Sequence, residues 1–180
     1  MAAATEIQMG RIRLRNPVIC GSGEHVMTEA GLKSALAAGA SAVVAKSFNE
    51  TQAAKEQLDR TDYSLLDGSW NRLAWDFDPP RDATLASRSG LICADFDEWL
   101  DTIARLDREA AKSDRYVVAS IILADLDAAV GMARKVEQAG VRVLEFNIGT
   151  PYGDEAAGVV STERATTRVT EIIRTICEAV

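Results

Sequence analysis

Val143–Tyr152 reads VLEFNIGTPY, a short apolar run with β-branched residues that breaks off in Asn, Gly, Thr and Pro. That pattern predicts a buried strand opening onto a polar loop. Alternation along a strand puts Glu145 and Asn147 on one face and Leu144, Phe146 and Ile148 on the other. A carboxylate and an amide inside such a strand are costly unless they bind something. The strand therefore reads as structural at its start and functional at its end.

The same plan repeats along the chain. Val18-Ile19-Cys20 is a short apolar segment ending in Gly21-Ser22-Gly23, and Ala42–Ala45 is another ending in Lys46-Ser47. Tyr116–Ile122 is a third, containing Ser120, and Val141–Ile148 is the fourth. Helices are expected between them. Thr28 is a suitable N-cap for one running to about Ala38 and closed by Gly39. Phe96, Leu100, Ile103 and Leu106 are spaced for a helix over 95–112. Asp125 caps a third, ended by Gly140, and Ser161 or Thr162 begins a last one bearing Val169, Ile172, Ile173 and Ile176. Ahead of all this, Ile12 and Leu14 alternate with arginines, which predicts an exposed hairpin or strand over 7–14.

Apolar strands alternating with amphipathic helices predict a parallel sheet covered by helices. An open doubly wound sheet and a (β/α)8 barrel both fit. No GxGxxG or GxxxxGK[ST] follows any strand, which weighs against the first. Each strand ends in a polar residue (Ser22, Lys46, Ser120, Asn147), the position where barrels keep their chemistry, which favours the second. Four strands cannot close a barrel of eight. Residues 1–180 are therefore expected to be the N-terminal part of one barrel, or to pair with another half. Residues 48–94 read as a long irregular binding loop, with a short helix over Glu50–Leu58.

Composition narrows the function. The net charge of -7 and the lack of a Lys/Arg stripe argue against nucleic acid. Three scattered cysteines and one histidine exclude a multi-histidine metal site and make a disulfide framework or zinc site unexpected. No run approaches ~18 apolar residues, so no membrane span is expected. The N-terminus shows no signal-peptide core, and the expected address is the cytoplasm.

Five segments, NPVICGSG (16–23), GASAVVAKS (39–47), GSWN (68–71), VVASI (117–121) and LEFNIGTP (144–151), together resemble the dihydroorotate dehydrogenase family of flavin enzymes. That family includes the flavin half of dihydropyrimidine dehydrogenase. The resemblance implies a (β/α)8 barrel with FMN over the strand mouths and an oxidoreductase acting on a CH–CH bond. It implies that Gly21, Ser22 and Gly23 let the backbone approach the flavin. Lys46 would stand near the flavin's pyrimidine end, Ser47 would bond the cofactor, and Ser120 and Asn147 would contact flavin and substrate. Asn71 would bind substrate. Thr150 stands where the family carries the Cys or Ser that removes a proton, so Thr150 and Lys46 are the catalytic candidates. Tyr152 replaces an amide of the family pattern, and Arg72-Leu73-Ala74-Trp75 replaces its S-M-G-L string. The implied substrate is a small molecule other than orotate.

Other readings remain beside these. Ser22 and Ser120 can serve loop backbone, and Asn147 can bridge strands. His25 suits a surface or capping role, Trp70 and Trp75 suit packing, and the cysteines read as buried small hydrophobes. Lys46 could serve a barrel lyase or aldolase through a Schiff base. A non-catalytic half-barrel is the third reading, its partner the other half, in the same chain or another, or a second copy in a homodimer.

Overall fold

Three side-chain oxygens fix where helices begin. In the computed structural model, which describes residues 5–48, 63–75, 78–87, 92, 94–123, 125–148 and 166–180, Thr28 Oγ1 accepts from the Gly31 amide at 3.2 Å. Helix α1 follows as Glu29–Ala37. Asp95 accepts from the amides of Asp97 and Glu98 and opens α2, Phe96–Ala111. Asp125 accepts from Ala128 at 2.8 Å and opens α3, Leu126–Gln138. Each cap satisfies amides that have no partner within the helix. Gly39 (φ +110°) and Gly140 (φ +77°) end α1 and α3 in a conformation that suits glycine. A last helix, α4, is Thr166–Ala179; the expected start at Ser161 or Thr162 lies outside the described residues.

The strands are β1 Ile7–Met9, β2 Ile12–Leu14, β3 Ile19–Cys20, β4 Ala42–Val44, β5 Tyr63–Leu66, β6 Arg72–Leu73, β7 Thr84–Ser87, β8 Tyr116–Ile122 and β9 Leu144–Asn147. The first two form an antiparallel hairpin. Strands β3, β4, β8 and β9 form a parallel sheet in that order. Beyond β4 the pairing with β8 continues to Phe48, whose amide donates to Ser120 O and whose carbonyl accepts from Ile122 N. The order along the sheet is the order along the chain, without the reversal that marks a doubly wound sheet. Among the described residues the sheet is open, with β3 and β9 as its edges.

Alternation along the strands separates two cores. Val43, Ala45, Val117, Ala119 and Ile121 join Leu32, Trp99, Ile103, Ala133 and Ile172 in one cluster that takes side chains from all four helices. Ala42, Val44 and Val118 point the other way and meet Leu14 of the hairpin. The helices therefore share one face of the sheet and the hairpin lies on the other. A cleft of about 360 Å³ remains on the hairpin side, lined by apolar groups of β2, β4 and β8 and by Glu145.

At the N-terminal edge of the sheet, Asp107 of α2 is buried and ties three elements together. Its carboxylate accepts from the Val117 amide at 2.9 Å, from Arg142 Nε at 2.9 Å and from Arg142 Nη2 at 2.7 Å. Arg142 also stacks 4.2 Å over the Tyr116 ring.

The expectation of an irregular stretch over 48–94 is corrected for its described part. Strands β6, β5 and β7 make a three-stranded antiparallel sheet, with Leu65 opposite both Leu73 and Leu85. Asp67 organises the β5–β6 turn by accepting from the amides of Ser69 and Asn71. The proposed helix over Glu50–Leu58 lies outside the described residues. Trp70 and Trp75 are exposed rather than packed. Cys177 is also exposed, against the expectation of buried cysteines; Cys93 lies outside the described residues.

No helix among the described residues is long and apolar enough to cross a membrane.

Candidate functional site

Parallel pairing brings the C-terminal ends of β3, β4, β8 and β9 side by side, and the polar residues there meet in a row. Ser22 Oγ lies 3.1 Å from Ser47 Oγ and accepts from the Ser47 amide at 3.2 Å. Ser47 Oγ lies 2.8 Å from Ser120 Oγ. Ser120 donates to Glu145 Oε1 at 2.7 Å, across the register that sets these two residues opposite each other. One hydrogen-bonded row thus spans all four strands. Ser47 and Ser120 are buried, which fixes their hydroxyls.

The direction of the row follows from its end. A carboxylate accepts only, so Ser120 gives its hydrogen to Glu145 and accepts from Ser47, which in turn accepts from Ser22. Each hydroxyl hydrogen is then used within the row. What the row offers outward is oxygen lone pairs, while donors come from elsewhere.

Lys46 precedes Ser47 and carries a cation. It follows β4, is buried, and has its backbone pinned at both ends: its amide donates to Val26 O, and its carbonyl accepts from Trp99 Nε1 at 3.2 Å. Burial pushes the Lys46 ammonium below the usual lysine value, and the charge of Glu24 opposes that shift. Glu24 lies in the 3-10 turn Glu24–Val26. The Tyr63 hydroxyl donates to its Oε2. Its Oε1 is buried without a hydrogen-bond partner among the described residues. Tyr63 thereby joins the small antiparallel sheet to the turn that follows β3.

The candidate residues separate as follows. Ser22, Ser47 and Ser120 are brought together. Lys46 adjoins Ser47 in sequence, and Asn147 continues the Glu145 face of β9 one pleat further. Asn71 stands on the antiparallel sheet, where its amide donates to Asp67 Oδ2 at 3.2 Å. The Asn71 backbone amide first, then its side-chain amide and the Ser69 amide, hold the Asp67 carboxyl below its usual range. Thr150 lies outside the described residues. At Gly21 a Cβ would meet nothing within 4 Å, so the space beside this turn is open.

Glu145 and Glu24 are members of the site that strand alternation and motif spacing left without a role. The signal for Glu145 was present, since a carboxylate midway along an apolar strand needs a partner. Its partner is 25 residues away and becomes visible only through the register. Glu24 follows the glycine-rich turn at once and carried no comparable signal.

Among the described residues no group of three or more His, Cys, Asp or Glu side chains could hold a metal ion. The chain matches no protein-family model and no curated protein.

Proposed function

We propose that the chain carries the strand-end half of the active site of an FMN-dependent oxidoreductase of the dihydroorotate dehydrogenase type, acting on a C–C bond beside a carbonyl. The observation that carries this reading is the row Ser22–Ser47–Ser120–Glu145, with Lys46 preceding Ser47 in the chain. Polar side chains from consecutive parallel strands converge there, Ser22 and Ser47 just past the C-terminal ends of β3 and β4, the end that barrel enzymes use, and Ser120 and Glu145 within β8 and β9. The winding supports a barrel: strand order follows chain order, and the helices share one core on one face. Closure takes further strands, from the same polypeptide or from a partner, and these would pack on the apolar cleft behind Leu14 and Val118.

The residues fit a flavin ring by their donor set. A flat flavin ring takes a close backbone, a cation near the acceptor atoms of its pyrimidine end and an acceptor for its one N–H. Gly21 leaves open space, the serine row offers lone pairs, and Lys46 offers the cation. Bound FMN would supply a hydride-accepting ring. Lys46 would hold positive charge where negative charge develops, and Glu24 would keep that lysine protonated. Ser47 or Ser120 would accept from the one ring N–H, at N3, with Glu145 orienting the row. The family pattern assigns the proton-removing role to the position of Thr150 and substrate binding to Asn71 and Asn147. Thr150 and Tyr152 depart from that pattern, and a small-molecule substrate other than orotate follows. The test is the visible spectrum of the protein with the strands that close the barrel present, titrated with FMN: saturable binding supports the reading, and a folded protein that stays colourless and binds none removes it.

A second reading has one observation in its favour. Burial lowers the Lys46 pKa, as a Schiff-base lysine requires. A lyase or aldolase of that kind would be trapped covalently on Lys46 by borohydride with a carbonyl substrate.

A further inference from the structure

A second group of reactive side chains lies just before the serine row. Cys20 ends β3, and its Sγ is 3.0 Å from His25 Nε2. We propose that Cys20 and His25 form a nucleophilic thiol site that takes conjugated carbonyl compounds, separate from the row itself.

Three features of the fold support it. First, the thiolate is the nucleophile, and an imidazole at hydrogen-bond distance can take the thiol proton. His25 is the chain's single histidine, so neither Cys93 nor Cys177 can have the same help. Second, the pair is reachable. His25 is exposed, Cys20 is half-buried on an edge strand, and the neighbouring Gly21 faces open space. Third, the turn is shaped to let the ring fold back over it. A Cβ at Gly23 would stand 2.9 Å from His25 Cε1 and 3.0 Å from Nδ1. Glycine at 23 therefore permits the ring position that meets Cys20.

The step balances without an outside oxidant. Cys20 gives its proton to His25, and sulfur forms a bond to the β-carbon of the conjugated carbonyl. The π electrons move to the α-carbon, which takes the proton from His25. An adduct there adjoins the turn bearing Ser22 and Glu24, so its presence would act next to the row.

The experiment uses N-ethylmaleimide, a conjugated carbonyl, at limiting dose on the folded chain, with adducts at Cys20, Cys93 and Cys177 measured by peptide mass spectrometry. The chain denatured in guanidinium gives the reference in which the three thiols react alike. In the folded chain Cys20 should react about tenfold faster than the more exposed Cys177. His25→Asn should abolish that lead, and so should Gly23→Ala, which keeps both reactive side chains and moves only the ring. Unchanged circular dichroism shows that the variants fold. A wild-type Cys20 no faster than Cys177 overturns the proposal, and so does a lead that survives His25→Asn.

Discussion

Replacing Asp107 by alanine should destabilise the chain by about 3 kcal/mol. The figure follows from what the carboxylate holds. It accepts from the Val117 amide, the Arg142 amide and two guanidinium nitrogens. Leaving the buried Val117 amide without a partner costs about 1–3 kcal/mol. The guanidinium would lose its counter-charge, but its side chain is 35% exposed, and it keeps the Arg115 carbonyl at 2.5 Å and the Tyr116 ring. Its share is therefore smaller than for a fully buried ion, and the total falls near the low end of the range for broken buried pairs. Urea denaturation of wild type and Asp107→Ala, fitted with a common slope, measures the difference. The double variant Asp107→Ala/Arg142→Met should recover about 1 kcal/mol, because the stranded charge is then gone. A loss below about 1 kcal/mol for Asp107→Ala would refute the assignment of this carboxylate as the tie between α2, β8 and the approach to β9.

Two further perturbations test how the chain packs around the turn after β3. A Cβ at Gly31 would lie 1.8 Å from the His25 carbonyl oxygen, so Gly31→Ala should cost about 3 kcal/mol as α1 is pushed off the turn; an unchanged melting temperature would contradict that approach. The side-chain bonds from Arg105 and Lys33 lower the Glu29 carboxyl to about 2. Its folded pKa lies below its unfolded value, so its contribution to stability is present above the ordinary carboxylate range and is lost as pH falls toward 2. NMR titration should find Glu29 still ionised at a pH where free glutamates are half protonated, and Arg105→Gln should return it toward the ordinary value; an ordinary titration in wild type would count against the pair.

Much of the scaffold was legible because local chemistry decided it. Thr28 and Asp125 are caps by side-chain type, and each caps; Asp95, read as the first residue of a helix over 95–112, turns out to be its cap. Gly39 and Gly140 end helices because few other residues take their φ. Tyr116–Ile122 was readable as a strand from β-branched residues alone. The antiparallel sheet over 63–87 was not, since β6 has two residues and β7 lies mostly exposed, leaving little alternation to read. Asp107 looks from its neighbours like part of a solvated helix face; only the packing of α2 on β8 buries it. The Glu145–Ser120 and Cys20–His25 contacts depend on register and on a turn folding back, which no local pattern encodes. Trp70 and Trp75 were expected to pack, yet both rings are largely exposed.

The most direct measurement of the central proposal is FMN binding to the chain and to Lys46→Met, followed by flavin absorbance and fluorescence in one titration. Methionine keeps the hydrocarbon stem in its buried place and removes the charge, so folding should stay within about 1 kcal/mol of wild type. Wild type completed by the closing strands should bind FMN saturably, with Lys46→Met weaker by about tenfold or more. With the strands that close the barrel present, absence of binding by the folded wild type, or equal binding by both proteins, would contradict the assignment of the β3–β9 strand ends as a flavin site.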